Sequence, residues 1–208
     1  STYTGNAAPG SILVALKPAS GGVASAPAVV QSKVMTLTCW GCGSPDISQS
    51  LDSTPLVGNS IVALVSGLSG TTGNGCNIGA TVVTDTSGNT YTKAVSSNYG
   101  AYRVWDAEIW VAPVTATAPG LTVTATNPDC DMSLTLQTAE LSGIATTSPV
   151  DVTALDGKWD GSQDLTVTTA PTTTASGIAV GIYIAGWESG LTTTISPGWS
   201  ELDSTDVT

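Results

Sequence analysis

Polar and apolar residues alternate with a period of two along much of this chain, and that period places successive side chains on opposite faces of a strand. In Gly120 to Asn127 (GLTVTATN), Leu121, Val123 and Ala125 face one way, and Thr122, Thr124 and Thr126 the other. Met132 to Leu141 (MSLTLQTAEL) alternates through Met132, Leu134 and Leu136, and Ser176 to Ala185 (SGIAVGIYIA) through Ile178, Val180, Ile182 and Ile184. From Trp105 to Val111, Trp105, Ala107, Ile109 and Val111 form one set, which assigns Asp106 and Glu108 to solvent or a neighbour. Asn59 to Ser66 (NSIVALVS) is apolar on both faces, as a central strand requires. The turn formers Asp85 to Asn89 lie between two β-branched runs, and the stretch Thr81 to Val111 reads as a hairpin followed by a long strand. Ser32 to Trp40 reads as a first core strand, and Val150 to Leu155 as a short edge strand. Leu165 to Thr169, Leu191 to Ile195 and Trp199 to Leu202 complete the set, with Gly41 to Thr54, Gly67 to Gly79 and Asp156 to Asp164 as loops. No segment has the period of an amphipathic helix. The pattern predicts an all-β protein, an antiparallel β-sandwich.

The first 30 residues differ from the rest and form an N-terminal extension to a sandwich domain spanning 31–208. Ser11 to Leu16 (SILVAL) is apolar without alternation, and a Pro/Ala/Ser/Gly-rich linker, Pro18 to Pro27, follows it. Ile12, Leu13, Val14 and Leu16 therefore make a strand that wants burial on both sides. It either packs into its own domain or adds to the sheet of a neighbouring copy, which makes a homo-oligomer or polymer. At the other end, Asp203 to Thr208 stops where a further strand is expected. The start at Ser1, without Met or signal-like segment, reads as a processed or trimmed product.

Composition narrows the partners. The net charge is −11, with five basic residues, so a phosphate backbone or anionic lipid surface is repelled and nucleic-acid binding is excluded. No apolar run reaches the length of a membrane span. Hydrophobic residues make up 41% and charged residues 10%, which supports a packed core. Phe is absent, so six Trp and five Tyr carry the aromatic packing. Cys39, Cys42, Cys76 and Cys130 form an even set in an acidic, Thr-rich, Lys-poor chain. That setting favours disulfides and an extracellular, cell-surface or virion location. The loop between Cys39 and Cys42 is very small, so each is expected to bond to Cys76 or Cys130. A four-thiolate zinc site is disfavoured because there is only one Cys-x-x-Cys pair.

The segments Asp85 to Tyr91 (DTSGNTY), Trp105 to Trp110 (WDAEIW), Ala139 to Gly143 (AELSG) and Pro197 to Trp199 (PGW) resemble immunoglobulin-like β-sandwich domains of secreted bacterial surface proteins and phage structural proteins. The resemblance covers about residues 55–202 and leaves out the extension and the four cysteines. It implies an immunoglobulin-like fold and a role as an adhesive, spacer or coat module, with no catalytic residues to carry over.

Candidate chemistry is sparse. There is no His, which removes His-based triads, His metal ligands and His proton transfer. No phosphate-binding glycine loop is present. Asp106 and Glu108, roughly 7 Å apart along one strand face, read as a solvated face rather than an acid–base pair. Asp129 and Asp131, with Asp156, Asp160 and Asp164, offer oxygen ligands for calcium but match no calcium-loop pattern, so no cofactor or metal is assigned. Trp40, Trp159 and Trp187 lie in or near loops and could stack on sugars, the basis of an alternative reading as a carbohydrate-binding module. The leading expectation is a non-enzymatic extracellular structural or interaction protein, a subunit of a filament, surface layer or virion.

Overall fold

A computed structural model describes residues 10–20, 26–38, 46–69, 82–99, 105–126, 132–157, 169–174, 176–184 and 202. Eleven strands are described: β1 (Gly10–Leu16), β2 (Ala28–Thr38), β3 (Ile47–Ser50), β4 (Ser60–Ser69), β5 (Val82–Asp85), β6 (Thr92–Tyr99), β7 (Trp105–Pro113), β8 (Thr122–Thr126), β9 (Met132–Ser142), β10 (Val150–Gly157) and β11 (Ile178–Ile184). They form three antiparallel sheets: a five-stranded sheet β2-β9-β4-β7-β6, and two three-stranded sheets, β3-β8-β5 and β10-β1-β11. The all-β, antiparallel sandwich expected from alternation is present.

The five-stranded sheet is central, and the parity of its residues shows this. Ile61, Ala63 and Val65 of β4, Trp110 of β7, and Leu134 and Leu136 of β9 pack with Ile47, Val83, Val123 and Ala125 of β3-β8-β5. The intervening positions Val62, Leu64, Ala107, Ile109, Val111, Ala139 and Leu141 pack with Ile12, Val14, Leu16 and Val180 of β10-β1-β11. Two cores therefore lie on opposite faces of one sheet. The continuous apolar run of β4 is the sequence signature of that double burial.

Three expectations change. First, β5 and β6 are not a hairpin, because β5 pairs with β8 and β6 with β7 in different sheets. The turn Asp85 to Asn89 is a corner that carries the chain between layers. Its amides are satisfied by the Asp85 carboxylate, which accepts from Ser87 N at 2.9 Å and Asn89 N at 3.1 Å, so no cross-strand ladder is needed to close it. Gly88, at φ 78°, supplies the positive φ of the turn. Second, β2 is the edge of the central sheet among the described strands, with Val30 and Met35 exposed, rather than a core strand. Third, Ile47 to Ser50 is a strand, not part of a loop. Ile47 and Gln49 are buried, while Ser48 and Ser50 are exposed and hydrogen-bonded to Thr124 and Thr122.

The N-terminal strand is the middle member of its sheet. β1 pairs with β10 from Gly10↔Gly157 to Leu16↔Val150, and with β11 from Gly10↔Ile184 to Leu16↔Ile178. The chain then continues as a tether: Lys17 N donates to Pro149 O, Ala19 N to Gly143 O, and Ala145 N to Lys17 O. On β11 and at the residue before it the fit is close. A Cβ at Gly181 would lie 2.9 Å from Ile12 O and 3.2 Å from Leu13 Cδ1, and one at Gly177 would lie 2.5 Å from Leu16 O.

Gly181→Ala is expected to lower stability by about 1–3 kcal/mol through overpacking against the β1 backbone. Ile12→Ala is expected to cost about 2–5 kcal/mol through the cavity it leaves. Both are read as shifts of the urea midpoint at unchanged slope.

Candidate functional site

Polar side chains are buried in the face of the central sheet turned toward β3-β8-β5. Asp106 and Glu108 are 4% and 3% exposed, which corrects their assignment to a solvated face. The reason is the double cover on β7: neither of its faces is free, so alternation separates one core from the other rather than core from water. Glu108 is fully engaged. Lys93 Nζ of β6 lies 2.5 Å from Glu108 Oε1, and Trp110 Nε1 donates to Glu108 Oε2 at 2.8 Å. The same ammonium sits 4.8 Å from the centre of the Trp110 ring, a cation–π contact that adds to the ion pair. Asp106 has no cation of its own among the described residues. Burial, and then the charge of Glu108, push its carboxyl up to about 8, and its Oδ1 is buried without a hydrogen-bond partner.

Two further polar knots hold the layers in place. Glu140 of β9, 1% exposed, accepts from Gln31 Nε2 at 2.6 Å, Leu56 N at 2.9 Å and Asn59 Nδ2 at 2.6 Å. It ties β2 and the turn before β4 to the sheet. Asn89 anchors the corner: Nδ2 donates to Asp85 Oδ2 at 2.8 Å and to Ala116 O at 2.9 Å, while Oδ1 accepts from Thr115 N and Ala116 N. Tyr91 OH also donates to Asp85, and burial with the carboxylate beside it pushes the phenol well above its ordinary value. These groups are satisfied by one another, as buried polar side chains must be.

Of the residues singled out from sequence, Ile12, Leu13, Val14 and Leu16 are brought together with β10 and β11. Cys39, Cys42, Cys76 and Cys130 lie outside the described residues, and so do Trp40, Trp159 and Trp187. Of the described strand ends nearest the cysteines, Thr38 is opposite Ser133 and Ser69 opposite Met132 in the central sheet, and Val82 is opposite Thr126 in β3-β8-β5. Asp129, Asp131, Asp160 and Asp164 are outside the described residues, and Asp156 is placed as backbone at the end of β10. Among the described residues no three acidic or Cys side chains converge as a metal site, and no helix is long and apolar enough to cross a membrane. The Glu140 and Asn89 knots were not found from sequence. Asn89 stood in a turn motif that explains it locally, and its partners are 26 and 27 residues away.

Comparison with protein-family models, curated proteins and solved structures found no match.

Asn89→Ala is expected to cost about 2–4 kcal/mol, because the amides of Thr115 and Ala116 lose their acceptor. Ser48→Ala, on the exposed face, should stay within about 0.5 kcal/mol. Thermal unfolding of the two variants side by side checks the difference.

Proposed function

We propose that this chain is a non-enzymatic structural or interaction protein of the extracellular space: an immunoglobulin-like β-sandwich subunit of a filament, surface layer or virion. In that assembly the N-terminal strand fills, in a neighbouring copy, the slot that β1 fills here. The observation that carries the reading is the position of β1. It is hydrogen-bonded along both edges, between two strands more than a hundred residues away in sequence. Its residues Ile12, Val14 and Leu16 complete the core on that face of the central sheet. Without β1, β10 and β11 have no sheet partner among the described strands, and the central sheet is left with an apolar groove. A slot of this kind accepts the same strand in the same register from either chain, since every contact between β1 and the slot is unchanged.

The tether permits the exchange. Ser20 to Pro27 is eight residues of small side chains and Pro, and it spans at most about 28 Å when extended. The high negative charge keeps such subunits soluble and disfavours unspecific contacts, leaving recognition to strand pairing.

The register supplies a test. Leu13 is opposite Ala154. In an equal mixture of Leu13→Cys chains and Ala154→Cys chains, oxidation is expected to give a disulfide-linked two-chain species, with the 13–154 bond identified by peptide mass spectrometry. If that bond forms only in the double variant, inside one chain, and the native material is monomeric by mass photometry, the exchange is refuted.

A further inference from the structure

The buried carboxyl pair on β7 lies outside the strand slot and serves no part of it. Asp106 and Glu108 are two residues apart, so they share a strand face. The charged groups around them come from two strands. β7 supplies the two carboxyls, and β6 supplies Lys93. On the other side β4 places Gly67 opposite Asp106 and Val65 opposite Glu108. Beyond it β9 contributes Leu134 and Leu136, and the facing sheet contributes Val83, Val123 and Ala125. Among the described residues, therefore, one cation faces two carboxyls. Two buried anions with one cation leave an unpaired charge in an apolar core, which a proton removes. Glu108 is the anion, because its two oxygens are taken by Lys93 and Trp110. Asp106 is the acid: its Oδ1 is buried with no hydrogen-bond partner among the described residues, and the Ala107 amide and the Lys93 charge only partly offset burial and the charge of Glu108.

We propose that a proton carried by Asp106, beside the Glu108 carboxylate, latches the edge strand β6 to β7, and that loss of this proton in mild alkali opens the edge. Repulsion can be relieved at β6 more cheaply than anywhere else. β6 is at the sheet edge and pairs only with β7 among the described strands. Its register shifts between Lys93 and Val95, a bulge that already interrupts the ladder beside the ion pair. β7, in contrast, is held by β4 along nine residues. Opening lets water reach both carboxylates and uncovers Ala94 and Val95, which pack on the core shared with β1. The edge behind them is then an unpaired β7, a template for another strand.

The direction of the pH effect follows from linkage. Asp106 in the fold titrates at about 8, above its ordinary value of 3.8, so the folded chain holds a proton that the unfolded chain has lost. Its stabilising contribution is complete below the unfolded value and is lost progressively as pH rises, until it is gone above the folded one. Edge opening belongs at the upper end of that window.

Hydrogen exchange of the full chain, followed by mass spectrometry from about pH 6 to about pH 10 and corrected for intrinsic rates, reads the latch directly. Peptides covering 92–99 are expected to lose protection by about tenfold per pH unit through the transition, while peptides in β4 and β9 keep theirs. Asp106→Asn should abolish the pH dependence. Glu108→Gln should move the midpoint down by removing the repelling charge, and Lys93→Met should move it up by removing the compensating one. These two variants decide the matter if Asp106→Asn does not fold. Equal pH dependence in wild type and Asp106→Asn, unmoved midpoints, or simultaneous loss of protection in every strand would overturn the proposal.

Discussion

A sheet that is apolar on both faces must be covered on both, and this constraint organises the molecule. β4, β7 and β9 present Ile61, Ala63 and Val65 with Leu134 and Leu136 on one side, and Val62, Leu64, Ile109, Val111 and Leu141 on the other. One cover is made from strands that alternate with the central ones along the chain. From β2 to β9 the chain crosses between these two layers at every connection except the one joining β6 to β7. The second cover is assembled from the two ends of the described chain, with β1 between β10 and β11. The hydrophobic effect does not distinguish which copy of the chain supplies a strand. In the proposed strand exchange, this cover is where a neighbouring copy would supply β1.

The same constraint accounts for the buried carboxyls. On a half-exposed sheet, the polar positions of an alternating strand meet water. On β7 they meet a second core, so Glu108 pairs with Lys93 and accepts from Trp110, and burial beside Glu108 pushes the Asp106 carboxyl up to about 8. Breaking such a pair costs more than making it gains, because the remaining charge is stranded. Glu140 shows the other solution, three donors converging on one buried carboxylate from the loop before β4 and from a neighbouring strand.

Much of the architecture could be read from the chain because a strand's pleat is a local property. The alternation in Thr122 to Thr126 appears as buried Val123 and Ala125 between half-buried threonines. The apolar run Ile61 to Val65 appears as a strand buried on both sides. The edge assignment of Val150 to Leu155 agrees with β10 at the margin of its sheet among the described strands. β3 escaped notice because its four residues lie beside a Gly/Ser/Pro-rich stretch, although Ile47, Gln49 and Leu51 keep the period of two. The candidate site was less legible, since it depends on what faces β7 and not on β7 itself.

The sequence by itself determined the class: period-two patterning, turn chemistry and missing helical periods leave only antiparallel sheet, and the absence of His removes a large part of catalytic chemistry. Which strands pair was decided only in three dimensions. The corner at Asp85 to Asn89 has the residues of a hairpin, yet Asn89 bonds to Thr115 and Ala116 and sends the flanking strands to different sheets. Likewise, nothing in WDAEIWV distinguishes a carboxylate in water from one in a core. That difference is made by a second layer whose residues lie far away in the chain, because burial belongs to the packed whole and periodicity to the single strand.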